Sequence, residues 1–156
     1  MLRYVYEHHD VVAHFVAQMI PYCRMRGFGK CKAIGVVKNN SLIAGMIYHN
    51  WSPETGVIEI TGAALPRSGW LTRETIARCY GYPFLGAGVQ MVIQRVPADN
   101  ERLLRQLAAG NFSFIAVPRM FGRDRDGVLC CLTDDAWAEC KFNPQRRELP
   151  AIEEAA

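Results

Sequence analysis

The stretch "GAALPRSGWLTRE", residues 62–74, gathers residue types that suit a bound anion. Gly69 frees the backbone, Ser68 and Thr72 carry hydroxyls, and Arg67 and Arg73 bracket the turn with positive charge. A helix opening near Thr72 adds its orphan N–H groups and the positive end of its dipole. The same residues equally make a plain turn, with Ser68 or Thr72 capping the helix and both arginines in solvent. Just upstream, "VIEITGAA" is an apolar strand carrying one carboxylate, Glu59. Alternation puts Glu59, Thr61 and Ala63 on one face and Ile58 and Ile60 on the other. An unpaired carboxylate is costly to bury. Glu59 therefore faces a wet cleft as an acid–base group, lies on a solvated sheet surface, or pairs with an arginine.

The elements that position these residues are legible from periodicity. Val11, Val12, Phe15, Val16, Met19 and Ile20 form a helical stripe after Asp10, which reads as the cap. "CKAIGVV", "LIAGMIYHNW" and "VIEITGAA" then form a meander, turned at "KNNS" and "SPETG". A helix is expected over residues 72–82, stopping at "YPFLGAG", followed by the strand "VQMVIQRV". A second helix begins at Asp99, turns Leu103, Leu104, Leu107 and Ala108 inward and closes at Gly110. "FSFIAVPRMF" and "GVLCCLT" make a final hairpin around "GRDRD". The order predicts an α+β fold whose central sheet is mixed but largely antiparallel and flanked by helices. The strand after the central helix should run parallel to the strand before it, because a helical crossover joins them. Residues 1–142 read as one domain and 143–156 as a weakly ordered tail.

Composition narrows the function. The chain has 156 residues, half of them hydrophobic and 21% charged, and a net charge of +3. Its arginines are dispersed, without the concentrated basic stripe of a nucleic-acid protein, so nucleic acid is not expected as a partner. No segment approaches the ~18 apolar residues of a membrane span, and "MLRYVYEHHD" lacks the apolar core of a signal peptide. The six cysteines form no C-x-x-C pair and read as reduced, mostly buried thiols of a cytoplasmic protein. They do not combine with the four histidines at metal-ligand spacing, so no metal is expected. His8 and His9 read as an exposed lead-in, and His49 and Trp51 as rim residues of a strand end that can line a cleft.

With the element order and three local motifs in view, the chain resembles the GNAT superfamily of acetyl-CoA-dependent N-acetyltransferases over about residues 30–135. The likeness rests on "VIEITGAALP", on "VQMVIQRVPADNERLLRQLAAGNF" and on the final hairpin. The second stretch is similar to the family's strand–Asn–helix–Gly-Phe segment, with Asn100 at the Asn position and Asn111-Phe112 at the Gly-Phe position. Within the superfamily it looks closest to the branch that modifies protein N-termini, where an aromatic residue introduces the central helix as Trp70 does.

The resemblance implies a fold in which the fourth strand bulges and splays from the fifth, with the pantetheine arm of acetyl-CoA in the wedge. It places the bulge at Gly62, Ala63, Ala64 and Leu65, and gives Asn100 a hydrogen bond to the arm or to a water. It makes Arg67, Gly69, Trp70, Leu71, Thr72 and Arg73 a pyrophosphate cradle, in a degenerate form: the family's [QR]-x-x-G-x-[GA] motif keeps one glycine, and the loop is short. It makes Glu59 the general base for an attacking amine. The family's tyrosine acid falls on Leu107, which leaves the acid unassigned. The implied reaction moves an acetyl group to a primary amine of a protein N-terminus, a lysine or a small molecule. The alternative is a GNAT-like domain that has lost catalysis and binds a ligand or protein. The final hairpin or a sheet edge suits a homodimer.

Overall fold

The computed structural model describes residues 1–146; the rest of the expected tail, 147–156, lies outside the described residues. Seven strands form one sheet in the order β1-β2-β3-β4-β5-β7-β6. They are β1 Leu2–Val5, β2 Lys32–Lys38, β3 Ser41–Ser52, β4 Val57–Ala64, β5 Met91–Pro97, β6 Ser113–Val117 and β7 Gly127–Thr133. The helices are α1 His9–Met19, α2 Arg73–Gly86, α3 Glu101–Ala109 and the short α4 Asp134–Ala138. The α+β class and the largely antiparallel sheet match the sequence reading. β4 and β5 are its parallel pair, joined through α2 as the crossover argument requires.

Two short elements escaped the sequence reading. β1 pairs antiparallel with β2 from Leu2↔Lys38 to Val5↔Gly35, and four residues carry too little pattern to register. α4 is capped by Thr133, whose hydroxyl accepts from the Ala136 N–H at 3.1 Å. It buries Trp137, and Asn143 donates to the Trp137 carbonyl at 3.0 Å.

Several local expectations are corrected. Asp10 is not the cap of α1: His8 takes that place in a left-handed conformation, and its carbonyl accepts from the Val11 and Val12 amides. Asp10 sits in the first turn, where its charge still suits the helix dipole. Val11 is 62% exposed, and Ala17 takes its place on the buried stripe. His9 is not a free lead-in, because its Nδ1 accepts from the Ala33 amide at 2.9 Å. The central helix does not stop before Pro83 but runs through it to Gly86. Proline cannot donate to the Cys79 carbonyl four residues back. The Tyr48 hydroxyl donates to that carbonyl instead. Asn100, not Asp99, caps α3, its side chain accepting from the Leu103 amide at 3.3 Å, and Ala108 faces solvent. Asn111, with φ of 69°, makes the left-handed step that ends α3, rather than Gly110.

The sheet separates two apolar layers. On one face α1 sets Val12 and Val16 against Ala33, Ile47 and Ala63. On the other, α2, α3 and α4 cover Ile34, Met46, Ile58, Ile60, Val92, Val96 and Leu132. The close approach of α1 depends on glycine. A Cβ on Gly45 would lie 2.6 Å from Val12 Cγ1 and 2.8 Å from Val16 Cγ2, against 3.0 Å for the nearest contact of one on Gly35. Branched side chains held in a packed helix face have little room to give. Gly45→Ala should therefore cost about 1–3 kcal/mol, seen as a lower urea midpoint, with Gly35→Ala milder. Equal midpoints for Gly45→Ala and the parent would show that α1 is not held at this distance.

Candidate active site

The geometry begins where two strands part. β4 and β5 pair only at Val57↔Met91, Ile58↔Val92 and Glu59↔Ile93. Beyond Glu59, β4 stays with β3 through Ala44↔Ala64, and β5 stays with β7 through Pro97↔Gly127. The expected splay between the fourth and fifth strands is thus present. The expected bulge at Gly62–Leu65 is not, since β3 and β4 keep an unbroken register from Ala44↔Ala64 to His49↔Glu59. The register shift falls instead between His49 and Ser52.

One cleft, of about 430 Å³, is lined by Ala64, Leu65, the loop from Pro66 to Leu71, and Arg102 and Gln106 of α3. Arg67 and Gly69 both take left-handed conformations, with φ of 57° and 69°. The amides of Ser68 and Thr72 are used, by the Leu65 and Trp70 carbonyls. Among the described residues, those of Arg67, Gly69, Trp70 and Leu71 meet no protein acceptor. Such a run of turned, unpaired N–H groups forms an anion-binding concavity. Lys38 Nζ reaches the Ser68 carbonyl at 3.3 Å and adds charge to the loop.

The loop is held from below by Thr75, which is fully buried. Its hydroxyl donates to the Trp70 carbonyl and meets Tyr4 Oη at 2.8 Å, while its amide donates to Thr72 Oγ1 at 3.1 Å. Thr72 is therefore the cap of α2 rather than a lining residue. Arg73 turns away from the cleft, donating to the Lys141 carbonyl at 3.2 Å and lying over the Phe142 ring. Asn100 is occupied as the cap of α3 and also lies outside the lining. Arg102 and Gln106, one helical turn apart on α3, were missed; their i, i+4 spacing marks a shared face but not what it faces.

The second cleft, about 540 Å³, opens on the α1 face of the sheet. Glu59 lies in it, 5% exposed. Arg95 Nε and Nη2 donate to Glu59 Oε2 at 3.2 and 3.1 Å, and His49 Nε2 lies 3.5 Å from the same oxygen. Oε1 has only a long 3.5 Å contact from Asn50 Nδ2. The pairing with an arginine was one of the readings open for Glu59, and the cleft position was another; both hold together. His49 and Asn50 are consecutive yet line the same cleft. The irregularity at Asn50, with φ of 50°, breaks the alternation that would send them to opposite faces. Trp51, by contrast, is exposed and outside the lining. The loop after α1 supplies Tyr22, Cys23, Arg26 and Phe28, and the β6–β7 connection supplies Phe121.

Burial lowers the pKa of His49; Glu59 pulls it back up, and Arg95 reinforces burial. The imidazole is accordingly neutral at neutral pH, with Nε2 2.8 Å from Thr61 Oγ1. Burial pushes the Cys23 thiol up, so it is not an activated thiolate. Cys79 is pushed up to about 12 by burial, and burial also raises the Tyr80 hydroxyl; both are core residues outside the two clefts. Leu107, at the position of the family's tyrosine, is buried in the core.

A mixed sheet that splits between its fourth and fifth strands, with clefts on both faces, is the architecture of the GNAT N-acetyltransferases, and the chain has that fold. No family model matches the sequence, and no curated protein matches it. Among solved structures it is similar to mutant forms of the spermidine/spermine N-acetyltransferase SpeG from Vibrio cholerae, with a TM-score of 0.71 at 12% identity, covering 88% of this chain and 97% of that one. The dodecameric spermidine N-acetyltransferase from the same organism, in an intermediate state, gives 0.71 at 12% identity over 88% and 95%. At that identity the likeness is one of fold. Among the described residues no helix is long and apolar enough to cross a membrane.

The His49 shift fixes the sign of a pH effect. Its folded pKa lies below the ordinary 6.5, so below that pH the unfolded chain binds the extra proton more readily than the folded one. Stability should fall as pH drops from 6.5 toward the folded value, and His49→Gln should remove that part of the slope. Urea midpoints at pH 7.5 and 5.5 check this: the parent should lose more than the variant, and equal losses would contradict it.

Proposed function

We propose that the protein is an N-acetyltransferase that moves an acetyl group from acetyl-CoA to a primary amine. The observation that carries this reading is the placement of two orphaned atoms. Among the described residues, the buried side-chain polar atoms without a hydrogen-bond partner are Ser68 Oγ and Gln94 Oε1. One is in the anion-friendly loop; the other is on β5, just past the point where β4 leaves it. Buried polar atoms are rarely left unpaired without a ligand or water to satisfy them. A pyrophosphate at the loop and the amides of a pantetheine arm in the wedge would supply partners for both.

The separation suits such an arm. Ala64 is five residues beyond Glu59 on β4, about 16 Å along an extended strand. A nucleotide held near Ala64 would thus send its thioester back through the wedge toward the cleft of Glu59. Ala63, Ala64 and Leu65 then border the arm, and Arg67, Gly69, Trp70 and Leu71 with Arg102 hold the phosphates. Thr72, Arg73 and Asn100 are left with structural roles.

In the reaction the amine attacks from the α1 face. Its lone pair forms the new C–N bond to the acetyl carbon, the C–S bond breaks, and the electron pair leaves on sulfur, which takes a proton from water. Glu59 Oε1, the freer of its oxygens, accepts the proton lost by the nitrogen, and Arg95 fixes the carboxylate through Oε2. His49 and Thr61 continue the polar track behind it. Six free thiols fit a reducing, cytoplasmic setting. The β6 edge, with Ile115 57% exposed, fits pairing between two copies.

Titration calorimetry with acetyl-CoA tests the reading directly; no heat at millimolar cofactor would end it. Arg67→Ala and Arg102→Ala should each weaken binding by about 10-fold or more, as expected for lost charged hydrogen bonds, and less so at high salt. Arg73→Ala should change it little. Glu59→Gln should lower kcat by about 10²–10⁴ while leaving acetyl-CoA affinity intact. An unchanged pH–rate profile in that variant would exclude Glu59 as the base.

A further inference from the structure

We infer that the acceptor is a small amine that itself carries a carboxylate and an apolar, preferably aromatic, side chain: an amino acid rather than a polyamine or a protein terminus. The inference rests on the transferase reading and narrows its substrate.

The charges lining the acceptor cleft are unbalanced. Among the described residues that line it, Glu59 is the carboxylate, while Arg26 and Arg95 are both guanidinium groups. Glu59 is already engaged by Arg95 through two hydrogen bonds. His49, whose pKa is lowered by burial, is neutral and adds nothing to the excess. Arg26 is exposed on the loop after α1 and has no hydrogen-bond or ion-pair partner among the described residues. A cleft with this balance repels a multiply charged cation and attracts an anionic group. Guanidinium is also the side chain whose forked donors match a carboxylate.

The excess charge has a chemical use. The attacking amine must be neutral, and positive charge nearby disfavours its ammonium form. A carboxylate on the same molecule would satisfy Arg26 while the amine is presented to Glu59 Oε1. Beside the polar His49, Asn50 and Thr61, the lining carries Met120 and aromatic rings. Tyr22 and Phe121 meet with ring centroids 5.0 Å apart, and Phe28 lies 5.0 Å from the His49 ring. Those rings suit a flat or branched apolar side chain. At about 540 Å³ the cleft is roomier than a simple alkylamine needs.

The test compares acetylation of L-phenylalanine, phenylalaninamide, 2-phenylethylamine and spermidine by the full chain, with acetyl-CoA binding measured separately by calorimetry. Phenylalanine should have the highest kcat/KM, and Arg26→Gln should raise its KM by about 10-fold or more. The same variant should leave the KM of phenylalaninamide, which models a peptide N-terminus, within about twofold, and acetyl-CoA affinity unchanged. If acetyl-CoA binds but spermidine or phenylalaninamide is preferred, or no amine reacts, or Arg26→Gln affects all amines alike, this assignment fails and the cofactor site stands. If acetyl-CoA itself does not bind, the transferase reading fails first.

Discussion

The parting of β4 from β5 is the constraint on which the rest depends. Parallel strands normally pair along their length, and each backbone N–H and C=O left without a partner inside a protein costs free energy. Here the pairing ends after Glu59↔Ile93, yet both strands continue for several residues, each secured by its outer neighbour. The sheet therefore keeps its integrity through β3–β4 on one side and β5–β7 on the other. Between them it opens a wedge whose edges still carry hydrogen-bonding groups. No bulge is needed, because divergence of two well-anchored strands does the same work. The wedge lies between the loop cleft near α3 and the cleft on the α1 face. The arrangement proposed for acetyl-CoA, with its phosphates on one side of the sheet and its thioester on the other, relies on this opening.

Glu59 sits at the last paired rung, and its surroundings follow from that place. A carboxylate 5% exposed needs compensation, and the nearest source is the parallel neighbour strand. Arg95 lies two residues past Ile93, on the same face, and reaches back to Oε2 from a half-exposed position. The irregularity in β3 brings His49 and Asn50 to the same side. The result is a carboxylate with one oxygen committed and one much freer. That asymmetry suits the proton-acceptor role proposed for Glu59, since the committed oxygen fixes orientation and leaves the other for a substrate.

The architecture was legible because it is written in long periodic segments. The meander, the three longer helices and the parallel crossover all follow from strand alternation, helical stripes and connection length. The alternation also placed Glu59, Thr61 and Ala63 correctly on one face. What was illegible depended on short elements or on distance. β1 has four residues, and α4 has five. The continuation of α2 through Pro83 rests on a tertiary hydrogen bond, since Tyr48, far away in sequence, satisfies the carbonyl that proline frees. Asn50 and Asn111 supply left-handed steps that a reading keyed to glycine passes over. Arg26, Arg95, Arg102 and Gln106 enter the clefts only because separate elements converge, and no local spacing records that convergence.

The loop from Pro66 to Leu71 is more firmly shaped than its weak motif suggests. In sequence it has one glycine where the family pattern has two small residues, and read as a string it is the poorest part of the resemblance. A glycine in such a motif serves to turn the backbone, and a second residue can meet that requirement at a moderate conformational cost. Arg67 does so here, with φ of 57° two residues before Gly69. A strained non-glycine residue persists only where its surroundings hold it. The loop is held through Thr75, which ties the Trp70 carbonyl to Tyr4 of β1 and to the cap of α2. The positive charge expected from Arg73 comes instead from Arg102 and Lys38, on elements that pack beside the loop. Turning, anchoring and charge are thus divided among separate segments, so a pattern written for one contiguous stretch underestimates how far the proposed phosphate site is preorganised.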